Sequence, residues 1–265
     1  MVPLLRYIFP LATELRDTEN FLMTVLTVEP PALLLADVHL GSDPAVSKRF
    51  CSLLERIPPT TTVISLGDLL DVWAEGSRYD FGSDYPEIER LRTFPTYYLR
   101  GNRDFLLGPR WEHLTKGNVL GDETEMRFGN RTFRLLHGDT LVERDRRYKI
   151  WRRIARSLPF RLLASSLGES AARSLAGGLR NAGRIEVEHK KEDTMTIAAE
   201  TAKDSLGSAD VLVCGHTHKP GLVEFPDGKK WFTLGSWDCG GEVLCLGSEE
   251  TAVLVTPEEA PERLR

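Results

Sequence analysis

The chain has 265 residues, 41% of them hydrophobic, and a formal net charge of −5. That length holds one large α/β domain, or a domain carrying an inserted subdomain, with enough apolar content to bury a core. The acidic balance argues against a dedicated nucleic-acid binder, and no apolar run approaches the roughly 20 residues needed to span a bilayer.

The first stretch, residues 1–30, begins apolar but is interrupted by Glu14, Arg16, Asp17 and Glu19. It lacks the ordered basic, apolar and cleavage regions of a signal peptide and reads as a poorly packed leader or a mis-called start. A main domain is expected over 31–255, followed by a short tail over 256–265. Within the domain, short apolar runs each end in a polar motif. Ala32–Ala36 precedes Asp37-Val38-His39, and Thr62–Leu66 precedes Gly67-Asp68-Leu69-Leu70-Asp71. Asp43-Pro44 then predicts a helix start, with Val46, Phe50, Leu53, Leu54 and Ile57 at helical spacing until Pro58-Pro59. Further along, Thr96–Leu99 precedes Gly101-Asn102-Arg103-Asp104, and Phe133–Leu136 precedes His137-Gly138-Asp139. Bounded runs of this kind read as buried strands, so the motifs sit at strand ends and can converge on one rim.

Residues 141–193 break the alternation and read as an insertion. Arg144, Arg146, Arg147, Lys149, Arg152, Arg153, Arg156 and Arg161 face a single acid, Asp145, while Trp151, Ile154, Ala155 and Leu158 keep helical spacing. A basic amphipathic helix suits an anionic membrane surface or an anionic substrate. A solvated helix packed by its apolar stripe is the commoner case. Phe160 to Leu179, rich in small and apolar residues, suits a mobile cap over a greasy substrate. A second helical stripe, Met195, Ala198, Ala199, Ala202 and Leu206, ends at Gly207 and reads as core packing. Val211–Cys214 then leads into Gly215-His216-Thr217-His218, and three strand-like runs follow over 231–234, 242–246 and 251–255. Cys51, Cys214, Cys239 and Cys245 have no CxxC spacing and read as reduced thiols of a cytosolic protein.

The five motifs together offer one mixed ligand set for two metal ions. Asp37 and His39 are two apart, so on an extended strand end they point to one side, and His216 and His218 repeat the arrangement. Asp68 follows a glycine, which leaves room for one carboxylate to bridge two ions; Asn102 adds an amide oxygen and His137 another imidazole. Seven ligands with one shared make two four-ligand shells. Nitrogen and oxygen ligands without thiolate suit manganese, iron, zinc or another first-row metal better than magnesium or calcium. Asp71, Asp104 and Asp139 read as supporting carboxylates. His113 and His189 carry no motif.

The sequence resembles the calcineurin-like metallophosphoesterases, whose pattern is DxH, GDxxD, GNH(D/E), HG and GHxH, over roughly Leu33 to Trp237. The resemblance implies an α/β fold, a four-layer α/β/β/α sandwich with a helical cap insertion. It implies one ion on Asp37, His39, Asp68 and His218, the other on Asp68, Asn102, His137 and His216, and in-line attack on phosphorus. Asn102, Arg103, His137 and His216 are then the catalytic candidates. Arg103 stands where most of the family has a histidine able to protonate a departing alkoxide. A guanidinium cannot give up its proton, yet it neutralises phosphate charge, and a phosphate leaving group needs no added proton. Arginine here therefore favours cleavage of a diphosphate bond.

Gly101–Gly108, His137–Leu141, Gly67–Trp73, Gly215–Pro220 and Leu234–Trp237 resemble, more narrowly, the family of UDP-2,3-diacylglucosamine diphosphatases. That likeness implies hydrolysis of a nucleotide-linked diacyl sugar to UMP and an acylated sugar 1-phosphate, in the lipid A pathway, at the cytoplasmic membrane face. The partners implied are that lipid substrate and an anionic membrane, with no nucleic acid and no obligate protein partner. Two Mn2+ ions are the expected cofactors. Asp145 falls where the family has an acid near the substrate, and Arg180, Arg184, Lys190 and Lys191 stand in for its Ser/Lys-rich helix, although the insertion otherwise diverges. A broader phosphodiesterase or phosphomonoesterase, and a non-catalytic scaffold of the same fold, are the alternative readings. The full ligand set speaks against the scaffold.

Overall fold

The computed structural model describes residues 25–76, 78–142, 154, 157–178, 196–247 and 251–265. The basic run from Arg144 to Arg156, Asp145, Arg180, Arg184, His189, Lys190, Lys191 and Met195 lie outside the described residues.

Short apolar runs with every residue buried form the centre of two six-stranded sheets. One runs in the order β12 (Ala252–Val255), β11 (Val243–Leu246), β2 (Ala32–Leu35), β3 (Thr62–Ser65), β4 (Thr96–Tyr98), β5 (Asn118–Val119). The other runs β1 (Leu26–Thr27), β6 (Glu123–Phe128), β7 (Arg131–Leu136), β8 (Val211–Cys214), β10 (Lys230–Thr233), β9 (Gly221–Glu224). Strands β2, β3 and β4 are parallel, as are β7 and β8. Their carboxyl ends therefore share an edge in each sheet.

The two-residue period of a strand explains the layering. Along β2, Ala32 and Leu34 join Ile64, Phe133, Val211, Val213 and Phe232 in a core between the sheets. Leu33 and Leu35 point the other way, into a core with Phe50, Leu53 and Leu54 of helix α1 (Pro44–Arg56). On the far face, Leu212 and Cys214 of β8 pack with Ala202 and Leu206 of a helix at Ala199–Leu206. Three cores make four layers, α/β/β/α, as the family resemblance implies.

Helix α1 forms as its sequence predicts. The Asp43 carboxylate accepts from Ala45 N at 2.8 Å, Pro44 opens the first turn, and Val46, Phe50, Leu53 and Leu54 are buried. The next helix, α2 (Pro109–Thr115), is followed in the insertion by α3 (Leu158–Ser166) and α4 (169–178). Ala172 and Ala176 of α4 are buried in the α1-side core. Tyr79 Oη donates to Ala164 O at 2.8 Å, and Arg173 pairs with Asp84 at 2.6 Å while lying over the Phe81 ring. Phe160 meets Phe105, with ring centroids 6.2 Å apart. These contacts seat α3 and α4 against residues 79–84 and Phe105. Ile154, Leu162, Leu163 and Leu175 remain exposed.

The helix at Ala199–Leu206, α5, departs from its expected stripe. Ala198 caps it and is exposed, as is Ala199; burial falls instead on Ile197, Ala202 and Leu206. The larger isoleucine wins the core position over the two alanines because it buries more apolar surface. Packed structure also extends past both ends of the 31–255 span. Strand β1 pairs with β6 and Val28 is buried. Near the C-terminus, Ala260 of α6 (Ala260–Arg263) and Leu264 are buried in the α1-side core.

Phe50 is fully buried and meets the Trp237 ring edge-on at 5.9 Å, so it ties α1 to the turn behind the polar motifs. Truncation in Phe50→Ala is expected to cost about 3–5 kcal/mol, read from the midpoint shift in urea unfolding. A shift equivalent to less than about 1 kcal/mol would mean the site collapses around the missing ring.

Candidate metal centre

Each strand delivers its motif by continuing the ladder past its last residue. Asp37 N donates to Gly67 O at 3.2 Å, His39 N to Asp68 O at 3.0 Å, and Gly215 N to His137 O at 2.9 Å. Side chains then bind the two sheets together: His216 N donates to Asp37 Oδ2 at 2.7 Å, and His137 Nδ1 to Leu66 O at 3.0 Å. The motifs converge at the strand ends as the sequence predicts.

The local geometry differs from an extended strand end. Asp37, His39, Asp68, His216 and His218 all have left-handed φ, between 50° and 69°; Lys116 is the other non-glycine with positive φ among the described residues. Spacing of two thus brings each Asp/His or His/His pair together through a coiled loop and not through pleat alternation. Asp and His enter this region more readily than most side chains, yet it still costs about 1–3 kcal/mol per residue. Glycine serves where backbone must pass close to a ligand. A Cβ on Gly101 would lie 2.1 Å from Asp68 Oδ1, and one on Gly215 would lie 2.4 Å from Asp37 Oδ2.

Two groups of ligand atoms result, Asp37 with His39 and His218, and Asp37 with Asp68 and His137, each within 4.8 Å of one another. Asp68 Oδ2 lies 3.7 Å from His39 Nε2 and 3.8 Å from His137 Nε2, between the two halves. The imidazoles pair in the same way, His39 with His218 at 5.3 Å and His137 with His216 at 5.1 Å between centroids. All seven predicted ligand residues are therefore gathered in one place.

The donor set fits divalent cations on several independent counts. Asp37 Oδ1 and His39 Nε2 are buried with no hydrogen-bond partner in the protein, a costly state for polar atoms unless something else binds them. The Leu66 carbonyl can only accept, so His137 carries its proton on Nδ1 and turns the lone pair of Nε2 inward. Asn102 sits among acceptors alone: one amide atom lies 2.7 Å from His137 Nε2 and 2.9 and 3.3 Å from the two Asp68 oxygens. Without a cation that atom must be the amide nitrogen, donating. With a cation among them it is the oxygen, and the acceptors share the ion.

Electrostatics point the same way. Burial opposes a charge on His137, but the pull of Asp68, Asp37, Asp139 and Asp104 outweighs it and raises its pKa. Burial likewise opposes charge on His39, and its contacts with Asp238 and Asp68 prevail, raising its pKa to about 9. His216, desolvated and facing His137, falls to about 4 and stays neutral, as a ligand must. The cavity attracts positive charge, and divalent ions supply it more compactly than protons.

The supporting carboxylates have distinct partners. Asp104 accepts from the backbone N–H of Gly101 at 2.8 Å, Leu69 at 2.9 Å and Asp68 at 3.2 Å, locking two motif loops together. Burial and the neighbouring Asp68 charge push its carboxyl up to about 6, while the N–H donors favour the ionised form. Asp71 Oδ1 accepts from Arg103 Nη1 at 2.5 Å. The Arg103 backbone N–H donates to Asp68 Oδ1 at 2.8 Å, and its side chain, 25% exposed, forms part of the rim. Asp238, which lies outside the five motifs, faces His39 Nδ1 at 3.5 Å. Its signal was available: an acid directly following the Gly235-Ser236-Trp237 run after β10.

Residues 30–220 match the family model described as calcineurin-like phosphoesterase. The chain belongs to that family, metal-dependent hydrolases of phosphoester and diphosphate bonds whose members use a dinuclear divalent metal site. It is 27% identical over 232 residues to a UDP-2,3-diacylglucosamine hydrolase of Shewanella piezotolerans, covering 85% of this chain and 98% of that one. It is 30% identical over 225 residues to the protein of that name from Coxiella burnetii, covering 80% and 91%. The one from Pseudomonas putida is 31% identical over 223 residues, covering 80% and 93%.

The close approach of Gly101 to Asp68 makes Gly101→Ala a sharp probe. The variant is expected to displace Asp68 and weaken Mn2+ binding at least about tenfold, measured by isothermal titration. Binding at the wild-type level would show that Asp68 does not hold metal in this position.

Proposed function

We propose that this chain hydrolyses the diphosphate bond of UDP-2,3-diacylglucosamine, giving UMP and 2,3-diacylglucosamine 1-phosphate. The reading carries over from the named relatives. The single observation that supports it from the site is Arg103, held by Asp71 and hydrogen-bonded through its backbone to Asp68. Asp37, His39, Asp68 and His218 would hold one ion, and Asp68, Asn102, His137 and His216 the other. Mn2+ is the metal best suited to this nitrogen and oxygen set, with iron and zinc as rivals. When bound, the ions supply Lewis acidity and an activated water nucleophile.

The chain's own residues do the rest. Asp104 fixes the relative position of the Asp68 and Asn102 loops. The Arg103 guanidinium neutralises a phosphate oxygen and does not protonate a leaving group. A departing phosphate carries its charge without that proton, whereas an alkoxide does not. Asp145, Arg180, Arg184, Lys190 and Lys191 belong to this reading as substrate-contacting residues. The exposed Leu162, Leu163 and Leu175 on the insertion suit acyl chains.

Action at the cytoplasmic face of the membrane, with peripheral contact to anionic lipid, follows from a lipid-linked nucleotide substrate. No described helix is long and apolar enough to cross a membrane. Neither nucleic acid nor an obligate protein partner enters this reading.

The deciding assay compares UDP-2,3-diacylglucosamine with bis-p-nitrophenyl phosphate in the presence of Mn2+. Preferential turnover of the first is expected; turnover of the second alone would leave only a broad phosphodiesterase. Arg103→His should lower the preference for diphosphates over simple monoesters about 10- to 100-fold, the worth of one charged hydrogen bond. An unchanged ratio would remove Arg103 from the specificity argument. His216→Ala should abolish turnover of both substrates.

A further inference from the structure

The two metal shells orient their buried imidazoles by different means. In one, His137 Nδ1 donates to the Leu66 carbonyl at 3.0 Å, a neutral main-chain acceptor inside the fold. In the other, His39 Nδ1 faces Asp238 Oδ2 at 3.5 Å, and Asp238 is 49% exposed. His39 itself is buried, and its Nε2 points toward Asp68 with no hydrogen-bond partner of its own.

Asp238 sits on a well-fastened turn. Trp237 N donates to Asp37 O at 3.2 Å, and Ser236 Oγ donates to the same carbonyl at 3.5 Å. The Trp237 ring is wedged against Phe50 and lies beneath the Arg49 guanidinium, 5.6 Å from its centroid. Arg49 in turn is gripped by both carboxylate oxygens of Glu258, at 2.6 and 2.9 Å. The turn is thus anchored to the backbone of one metal-ligand residue while presenting a carboxylate to another.

We propose that Asp238 is a positioning residue for His39, and so tunes the shell of Asp37, His39 and His218 without touching that of Asn102, His137 and His216. The proposal rests on the dinuclear reading of the site. Accepting from Nδ1–H fixes the tautomer that leaves the Nε2 lone pair free, sets the ring plane and raises the basicity of the ligand nitrogen. Because His137 obtains the same service from Leu66, loss of Asp238 acts on one ion alone.

The test is titration of the metal-free full-length chain with Mn2+, following heat and bound equivalents, in wild type, Asp238→Ala and the isosteric Asp238→Asn. Wild type should take up two equivalents. In Asp238→Ala one class of site should weaken about 10- to 100-fold, the range for losing a partner of a metal-binding histidine, while the other holds within about twofold. Asp238→Asn, which keeps an acceptor oxygen but not its charge, should fall between. The metal-free chains should stay folded, with melting temperatures lowered only slightly by loss of the half-exposed carboxylate that faces His39. Unchanged affinities, or equal weakening of both classes in Asp238→Asn, would overturn the proposal. Fewer than two equivalents in wild type would overturn the dinuclear reading beneath it.

Discussion

Carboxylate and imidazole acceptors crowd one buried cavity where two sheets meet, and the protein supplies too few donors to satisfy them. Asp37 Oδ1 and His39 Nε2 have no hydrogen-bond partner, and one Asn102 amide atom faces acceptors on every side. Five of the residues concerned also hold left-handed backbone. Each of these is unfavourable taken singly, and together they amount to several kcal/mol of stored cost. Such a cluster persists only because the surrounding ladders over-determine it, and because cations of the right size relieve it. Gly67, Gly101 and Gly215, the Asp104 lock and the Trp237 turn all follow from that need.

Much of this was legible in the sequence. Strands β2, β3, β8 and β11 are fully buried, so they read as short, mainly apolar runs, and each of the first three ends at a motif. Helix α1 declared itself through Asp43-Pro44 and a clean stripe, because cap, propensity and burial agree there. The ligand set was readable since its chemistry is carried by residue type, and the order of motifs along the chain reflects parallel strands.

What was not legible has physical causes. The Asp37/His39 spacing suggested an extended strand end, but the conformation is set by ladder contacts with residues 67 and 68, which local spacing cannot encode. Helix α2 is seven residues long, too short to show a period. Its first N–H groups, on Arg110 and Trp111, are satisfied by the distant Glu75, not by a neighbouring cap. The β6–β7 hairpin did carry a signal, alternating Thr124, Met126 and Phe128 ahead of Gly129-Asn130. Glu123, Glu125 and Arg127 on the outward side of β6 break up the apolar run that marks the other strands.

The hydrogen bond from His216 N to Asp37 Oδ2 joins residues 179 positions apart and belongs to opposite sheets. A ribosome that has released only the first half of the chain has made Asp37, His39, Asp68 and Asn102, yet none of His137, His216 and His218, which complete the site. Competence for metal thus arrives as a late event of synthesis, when β8 docks beside β7 and brings its histidines across. A chain that stops before β8 holds only part of the ligand set, so uptake of the full complement of metal reports that β8 has docked.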